Sequence, residues 1–267
     1  MPDTSELPAG SPAEIYERHM VPAIFAPWSA DLLALVKPQP GERVLDVACG
    51  TGIVARNAAS MVGGTGRVVG IDMNASMLEI ARSNDAPVEW REGDALAMPF
   101  LDQEFDVVVC QQGLQFFPDR SKALREMHRV LVPNGRLGIA VWCGSIEASP
   151  GYLALAQALE RHVDAMTAKL MDDLFCLADA SEIRALLDGG GFREVTVLRE
   201  SKLACFASPE EFTRALAIGS IMRRAGTQFS DETMRLLIED VSAALQPYVS
   251  SDGLAFPMEA QLATARR

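Results

Sequence analysis

The sequence predicts an α/β protein in which a mostly parallel, seven-stranded sheet has helices on both faces and an added helical insertion. Between residues 44 and 142, five short apolar segments alternate with segments of helical spacing, which is typical of βαβ units. The strand-like segments are continuously apolar, as in sheets that are buried on both faces. Two further extended segments, 194–206 and 254–264, supply the last two strands.

The individual elements follow in chain order. A capping box at 11–14 starts a helix, and Pro22 and Pro27 are expected to break the region after it into short helical pieces. The strands are predicted at 44–48, 67–72, 88–91, 105–110 and 137–142, and the helices between them at 53–61, 75–82 and around 124–131. A second capping box at 208–211 opens a helical insertion, about 208–247, between the two late strands.

Composition narrows the function classes. The 267 residues carry 24 Lys and Arg against 36 Asp and Glu, a formal net charge of −12. So acidic a surface repels nucleic-acid phosphates and anionic lipid. The five cysteines are widely spaced and odd in number, which favours a reducing compartment over disulfides or a zinc site. Residues 1–10 lack the basic and apolar parts of a signal peptide, and no apolar run approaches the ~20 residues of a membrane span. We therefore expect a cytoplasmic protein.

The strongest motif is Val44-Leu-Asp-Val-Ala-Cys-Gly-Thr-Gly52, a strand that enters a glycine turn before a helix. Gly50 and Gly52 allow backbone to approach a ligand closely, and a helix N-terminus favours negative charge. Asp72 ends the next strand, where a carboxylate can accept hydrogen bonds from ribose hydroxyls. Together these features predict an adenosine-containing ligand. A tight βα turn with a capping aspartate is the purely structural alternative.

Two further acids separate the adenosine ligands. Asp46, inside the strand before the glycines, faces a pyrophosphate poorly but suits a cationic amino-acid group. Asp94 follows the third strand and can accept a hydrogen bond from an adenine amino group, while the Ala95 N–H reaches a ring nitrogen. A dehydrogenase would also need a base for hydride chemistry, and none of the three tyrosines has a lysine four positions later. These features weigh against a nicotinamide cofactor.

With these motifs, the sequence resembles the class I S-adenosylmethionine-dependent methyltransferases, and is similar to the ubiquinone/menaquinone-biosynthesis and other small-molecule methyltransferases among them. The resemblance covers roughly residues 40–143. Its motifs are LDVACGTG (45–52), VVGIDMNASMLEIAR (68–82), EGDALAMPF (92–100), FDVVVCQQGLQFFPD (105–119) and LREMHRVLVPNGRLGIAVW (124–142). It implies a Rossmann-like fold, with S-adenosyl-L-methionine as cofactor and S-adenosyl-L-homocysteine as product. One departure is Ala48, where many relatives have the first glycine of the cluster.

The resemblance also implies a set of cofactor-binding residues. They would line the methionine end (Asp46, Ala48, Gly50, Gly52), bind the ribose diol (Asp72), pack near adenine (Met73, Met77), read its edge (Asp94, Ala95) and offer a backbone carbonyl to the ammonium group (Gln111). Plain core packing is the alternative for the two methionines.

Four residues are candidates for the acceptor side of the reaction. Gln115 follows the fourth strand, where ligands of parallel sheets bind, and either orients an acceptor or caps a helix. His19 and Tyr16 lie in the N-terminal segment, which closes over the cofactor in similar enzymes. His162 lies on an apolar helical stripe, where a partnered core histidine is the alternative. The sequence shows no obvious metal-ligand cluster.

The expected organisation is an N-terminal helical flap (1–40), a cofactor-binding Rossmann-like core (41–143) and a C-terminal part (144–267). The last part completes the sheet and carries the insertion (about 208–247) as a substrate lid. The expected function is in-line transfer of the sulfonium methyl group to a small, partly apolar molecule, such as a quinone-like metabolite or natural product, by a monomer or homodimer. An NAD(P)-dependent oxidoreductase and a non-methylating protein of the same fold are the alternatives. No metal, nucleic acid or membrane insertion is expected.

Overall fold

A computed structural model describes residues 10–267, apart from the side chain of Arg223. The prediction that the chain does not start with a signal peptide concerns residues outside this range. The chain forms two compact units. The first comprises the described part of 1–25 together with 145–174 and 201–258, and the second comprises 26–144, 175–200 and 259–267.

One sheet holds the strands of the described chain. They are β1 (Arg43–Val47), β2 (Arg67–Asp72), β3 (Glu89–Glu92), β4 (Phe105–Gln111), β5 (Leu131–Trp142), β6 (Arg193–Phe206), β7 (Val249–Ser250) and β8 (Gly253–Arg266). The order is β3-β2-β1-β4-β5-β8-β6, and the two-residue β7 pairs with β8. Strands β1 to β5 pair in parallel, whereas β8 is antiparallel to β5. The predicted α/β fold with a mostly parallel sheet is confirmed. The strand order reverses between β1 and β4, which is where open parallel sheets bind ligands.

The helices lie largely where the sequence places them. They are α1 (Pro12–Val36), α2 (Ile53–Val62), α3 (Ala75–Ser83), α4 (Arg120–Val130), α5 (Pro150–His162), α6 (Ala165–Asp172), α7 (Ala180–Gly189), α8 (Pro209–Leu216), α9 (Met222–Ala225) and α10 (Asp231–Leu245). The capping box at Ser11 is formed, with the Ser11 N–H bonded to Glu14 Oε2 at 2.6 Å. Helices α8 to α10 fill the chain between β6 and β7, as the sequence predicts.

Helix α1 corrects one expectation. The two prolines do not break it, because the stretch Tyr16–Phe25 is π-helical and contains Pro22. A π-helical turn is wider than an α-helical turn, so it accommodates a residue that lacks an N–H and would clash in an α-helix interior. Pro27 lies at the start of the α-helical stretch Ala26–Val36, directly after the π-helical stretch.

Among the described residues, α1 is also the helix that is long and apolar enough to cross a membrane by length and composition. More than half of its most apolar stretch is buried in the protein. The sequence-based expectation divided this region at the prolines and therefore did not anticipate one long apolar helix. A buried core helix has the same properties, and the absence of membrane insertion stays a prediction.

Ion pairs tie together the amino ends of the strands. Arg43 of β1 donates to both carboxylate oxygens of Asp106 in β4, through Nε and Nη2, at 2.9 Å each. Arg67 of β2 contacts Glu89 at 2.8 Å and Glu104 at 2.7 Å. The hydrogen bonds from Arg43 hold the pKa of Asp106 below its usual value. These ion pairs all lie at the amino ends of the strands. The candidate site lies at the opposite, carboxyl ends.

The first unit has an aromatic core. Phe212 of α8 is fully buried, and its ring centroid lies 6.1 Å from that of Tyr152, 5.3 Å from that of Phe206 and 5.2 Å from that of Phe256. Gly151 permits this packing, because a Cβ there would lie 2.7 Å from Cε1 of Phe256 and nearer still to Cζ. Burial raises the pKa of Tyr152 well above its usual value. Phe206 and Phe212 therefore stabilise the core of this unit.

Candidate cofactor site at the carboxyl ends of β1, β2 and β4

Asp72 joins the turns that follow β1 and β2. Its Oδ2 accepts a hydrogen bond from the Gly50 N–H and its Oδ1 accepts one from the Asn74 N–H, both at 2.8 Å. One carboxylate thus holds the glycine turn against the next strand. Each carboxylate oxygen has a second acceptor position, so Asp72 can still accept hydrogen bonds from a vicinal diol.

Asp46 is buried behind the same turn. Its Oδ2 accepts a hydrogen bond from the Ala55 N–H, in the first turn of α2, at 3.0 Å. Burial raises the pKa of Asp46 to about 8, and the negative charge of Asp72 adds to the rise while the Ala55 N–H opposes it. A cation nearby would favour the charged form. Asp46 therefore fixes α2 and also provides a place for a positive group.

The two glycines of the motif are needed for different reasons. Gly50 has φ +55°, and nothing lies within 4 Å of the position of a Cβ there. Gly52 has φ +91°, and a Cβ there would lie 2.7 Å from Cζ3 of Trp90 and nearer still to Cη2. Gly50 thus leaves open space beside its backbone, whereas Gly52 makes room for Trp90. The sequence analysis missed Trp90. The sequence feature that could have indicated it is a bulky aromatic residue within the predicted third strand. In the structure, Trp90 of β3 pairs in register with Gly70 of β2.

Ala48 occupies the left-handed region, with φ +56°. The backbone here keeps the conformation that favours glycine, at a cost of about 1–2 kcal/mol for an alanine. A Cβ on Gly113 would lie 2.7 Å from the Ala48 Cβ. The absence of a side chain at Gly113 therefore lets the loop after β4 lie directly against the glycine turn.

The residues predicted to bind adenine differ in exposure. Met73 is 77% exposed, whereas Met77 is buried in the first turn of α3, as the core-packing alternative expects. Asp94 is exposed, and its Oδ1 accepts a hydrogen bond from the Leu96 N–H at 2.8 Å. Ala95 beside it is buried. Met73 and Asp94 are thus available to a ligand at the ends of β2 and β3.

Two further features bear on whether a cationic nucleoside fits. The Thr51 hydroxyl is buried and has no hydrogen-bond partner among residues 10–267. Gln111, the last residue of β4, is also buried. An unsatisfied hydroxyl, open space at Gly50 and the two aspartates suit a polar ligand with positive charge.

Gln112 and Gln115 form a buried pair beside this turn. Gln115 Nε2 donates to Gln112 Oε1 at 2.8 Å, and the Trp142 N–H donates to the same oxygen at 3.1 Å. Within the described chain, Gln112 Nε2 and Gln115 Oε1 have no partner. Leaving such a group unsatisfied costs about 1–3 kcal/mol. The sequence predicts that the segment after the fourth strand, which includes Gln112 and Gln115, borders the transferring methyl group, with Gln115 as the candidate that orients an acceptor.

His19 and Tyr16 lie in the π-helical part of α1. His19 Nδ1 lies 2.7 Å from Glu211 Oε1, and His19 Nε2 is buried without a partner in the described residues. Glu211 also accepts a hydrogen bond from the Ala207 N–H, so the second predicted capping box is formed only in part: Ser208 caps the helix. Tyr16 stacks on Phe25 with a centroid distance of 5.0 Å.

His162 ends α5 and contacts α10 of the same unit. Its Nε2 lies 2.7 Å from Asp240 Oδ2, and Arg161 pairs with the same carboxylate. The hydrogen bond from His162 is the main cause of the lowered pKa of Asp240. This is the geometry of a partnered histidine. Across residues 10–267, no group of three or more His, Cys, Asp or Glu side chains is placed to hold a metal ion.

Comparison with known proteins identifies the class of the second unit's central part. Residues 44–135 match the family model described as "Methyltransferase domain". The resemblance to methyltransferases that the motifs indicate is confirmed for this part of the chain.

Two relatives and one solved structure show the extent of the likeness. A demethylmenaquinone methyltransferase of Lactobacillus johnsonii is 28% identical over 193 residues, 64% of this chain and 76% of that protein. A 2-phytyl-1,4-naphtoquinone methyltransferase of Thermosynechococcus vestitus is 49% identical over 102 residues, 37% of this chain and 45% of that protein. The fold is similar to Haemonchus contortus phosphoethanolamine N-methyltransferase 2 in complex with S-adenosyl-L-methionine, with a TM-score of 0.56 and 20% identity over 97% of this chain and 60% of that one. The chain spans about half the length of most curated relatives it matches.

Proposed function

We propose that the chain is an S-adenosyl-L-methionine-dependent methyltransferase whose acceptor is a small, partly apolar molecule, such as a quinone-like metabolite or natural product. The observation that carries the proposal is the arrangement of Asp46 and Asp72 around the turn at Gly50. One aspartate is buried behind the turn and the other holds it from the side. Asp72 supplies negative charge for a cationic nucleoside, and a cation beside Asp46 would favour its charged form.

The cofactor, when bound, supplies an activated methyl group on a positively charged sulfur. Asp72 binds the ribose hydroxyls, Asp46 favours the ammonium group by its charge, and the Gln111 carbonyl accepts a hydrogen bond from it. Asp94 and Ala95 read the adenine edge. Because the methyl group is already activated, the protein contributes mainly orientation and exclusion of water. His19, whose ring lies against Glu211 in the first unit, stays our candidate for a general base if the acceptor has to lose a proton.

A nicotinamide cofactor is the main alternative, and the structure weakens it. Dinucleotides place their pyrophosphate on the backbone N–H groups of the first helical turn. In this chain the Ala55 N–H of that turn is bonded to Asp46, so a phosphate would meet a buried carboxyl group. A non-methylating protein of the same fold is the other alternative, and it shares the cofactor.

Calorimetry with S-adenosylhomocysteine and with NADH separates the first two hypotheses. We expect one molecule of S-adenosylhomocysteine to bind per chain and NADH to give no binding heat. Binding of NADH alone would contradict the proposal. Transfer of label from methyl-tritiated cofactor to a cell-extract metabolite tests methylation itself, and binding without any labelled product would favour the non-methylating alternative.

The partners, the location and the domain roles are also proposals. Two relatives are named as methyltransferases of quinones, which supports a small-molecule acceptor. The net charge of −12 would repel nucleic-acid phosphates. We also propose a cytoplasmic location, which fractionation of cells would test, and a monomer or homodimer, which sedimentation of the purified chain would test. The flap (1–40), core (41–143) and lid (208–247) are also proposals. Slower proteolysis of the flap and lid on adding S-adenosylhomocysteine would support them, and unchanged cleavage would contradict them.

A further inference from the structure

The buried glutamine pair after β4 has one unused donor and one unused acceptor. Gln112 is 9% exposed and Gln115 is 5% exposed. Their amides share one hydrogen bond, so Gln112 Nε2 and Gln115 Oε1 remain without partners in the part of the chain that the structure describes. Buried polar side-chain atoms are nearly always hydrogen-bonded. A ligand that supplies the complementary acceptor and donor would satisfy both atoms.

The backbone fixes which atom of each amide is free. The Trp142 N–H donates to the Gln112 side chain at 3.1 Å, and only the amide oxygen can accept it. Gln112 Nε2 is therefore the free donor. Because Gln112 Oε1 faces Gln115, the nitrogen of Gln115 must point towards it, which leaves Gln115 Oε1 as the free acceptor. Rotating either amide by 180° would place two donors or two acceptors against each other.

The position of the pair is fixed relative to the glycine turn. The Gln112 N–H donates to the Ala140 carbonyl of β5 at 2.8 Å, which continues the sheet pairing by one residue. Gly113 follows, close against Ala48 of the turn. The two free amide atoms thus lie on a rigid loop that is packed against the proposed cofactor site.

We propose that Gln112 Nε2 and Gln115 Oε1 bind the methyl acceptor and select a neutral, partly apolar molecule with a hydroxyl or N–H group next to a carbonyl oxygen. The N–H or O–H of the ligand donates to Gln115 Oε1, and its carbonyl accepts from Gln112 Nε2. Both amides are neutral, so the pair offers nothing to compensate a ligand charge. This inference names the acceptor chemistry of the proposed methyltransferase and depends on that function.

Binding of two matched probes to the protein saturated with S-adenosylhomocysteine tests the inference. The probe 2-quinolone carries a lactam N–H beside its carbonyl, and N-methyl-2-quinolone lacks only that donor. Loss of one hydrogen bond to a buried acceptor should weaken binding about tenfold or more. We expect the wild type to prefer 2-quinolone by that factor, and Gln115→Leu to reduce the preference to about twofold or less.

Gln157→Leu is the matched control, since it makes the same change at an exposed position of α5 and should keep the preference. An equal affinity of the wild type for both probes, no binding of either, or an unchanged preference in Gln115→Leu would overturn the inference. The wild-type comparison needs no variant to fold. The binding isotherm of S-adenosylhomocysteine on the same samples keeps the two proposals separate: if it binds and the preference is missing, only the acceptor inference fails.

Discussion

Replacement of Gly52 by alanine tests why the motif needs a glycine at this position. The new Cβ would lie 2.7 Å from Cζ3 of Trp90, well inside normal contact distance. Left-handed backbone, here φ +91°, costs a non-glycine residue about 1–2 kcal/mol, and overpacking costs about 1–3 kcal/mol. We therefore expect Gly52→Ala to lower the free energy of unfolding by about 2–5 kcal/mol, measured by urea denaturation followed by circular dichroism.

Gly50→Ala is the informative comparison. Nothing lies within 4 Å of its Cβ position, so the substitution should cost only the backbone part, about 1–2 kcal/mol. Its affinity for S-adenosylhomocysteine should nevertheless fall, because the Cβ occupies space that the ligand needs. Gly64→Ala is the control for both variants, since nothing lies within 4 Å of the position of a Cβ at Gly64 and its φ is not positive.

A double-mutant cycle separates the steric part from the backbone part. In a Trp90→Leu background the ring is absent, so Gly52→Ala should cost about 1–2 kcal/mol only. The cycle should then give a coupling free energy of about 1–3 kcal/mol between the two positions. Equal losses for Gly50→Ala and Gly52→Ala, with no coupling to Trp90, would refute the reasoning.

Three further predictions concern single residues. Asp46 has a pKa raised to about 8, so the folded chain keeps a proton that the unfolded chain releases near pH 4. The free energy of unfolding should therefore fall as the pH rises from 4 to 8. In Asp46→Asn, urea denaturation should show a smaller fall than in the wild type, by up to ~4 kcal/mol between pH 5 and 8. An identical profile would contradict the burial argument. Ala48→Gly should leave binding of S-adenosylhomocysteine unchanged and shift stability by less than about 1 kcal/mol, because relief of left-handed strain is offset by unfolded-state entropy; a large loss would show that the Ala48 methyl group is needed. Asp106 has a lowered pKa owing to Arg43, so its contribution to stability is present above about pH 4 and is lost as the pH falls through the lower folded pKa. Asp106→Asn should destabilise the protein by about 1 kcal/mol at pH 7, and an unfolding titration should show the difference from wild type shrinking as the pH falls below about 4.

The sheet could be predicted from sequence because its signals are local. Strand β2 has the predicted bounds, and the other strands begin or end within a few residues of them, because apolar β-rich runs and glycine turns mark both ends. Strand β5 starts early, at Leu131, because pairing to β4 continues through an irregular register that the turn at 133–135 hides. The π-helical part of α1 was missed because proline signals an end to a helix and says nothing about a wider turn.

The candidate site could be predicted only where one segment contains the whole signal. Asp72 and Gly50 are 22 residues apart, and a known pattern links them. Contacts that join distant segments could not be predicted from spacing. Examples are Trp90 against Gly52, and His19 beside Glu211, which is 192 residues away.

Titration of the purified wild type and of Asp72→Ala with S-adenosylhomocysteine in a calorimeter tests the central claim most directly. The wild type should bind one equivalent, and the variant, which loses the diol acceptor and the bond that holds Gly50, should bind at least about tenfold more weakly while remaining folded by circular dichroism. Absence of binding heat in the wild type, or an unchanged affinity in Asp72→Ala, would contradict the claim that this turn binds the cofactor.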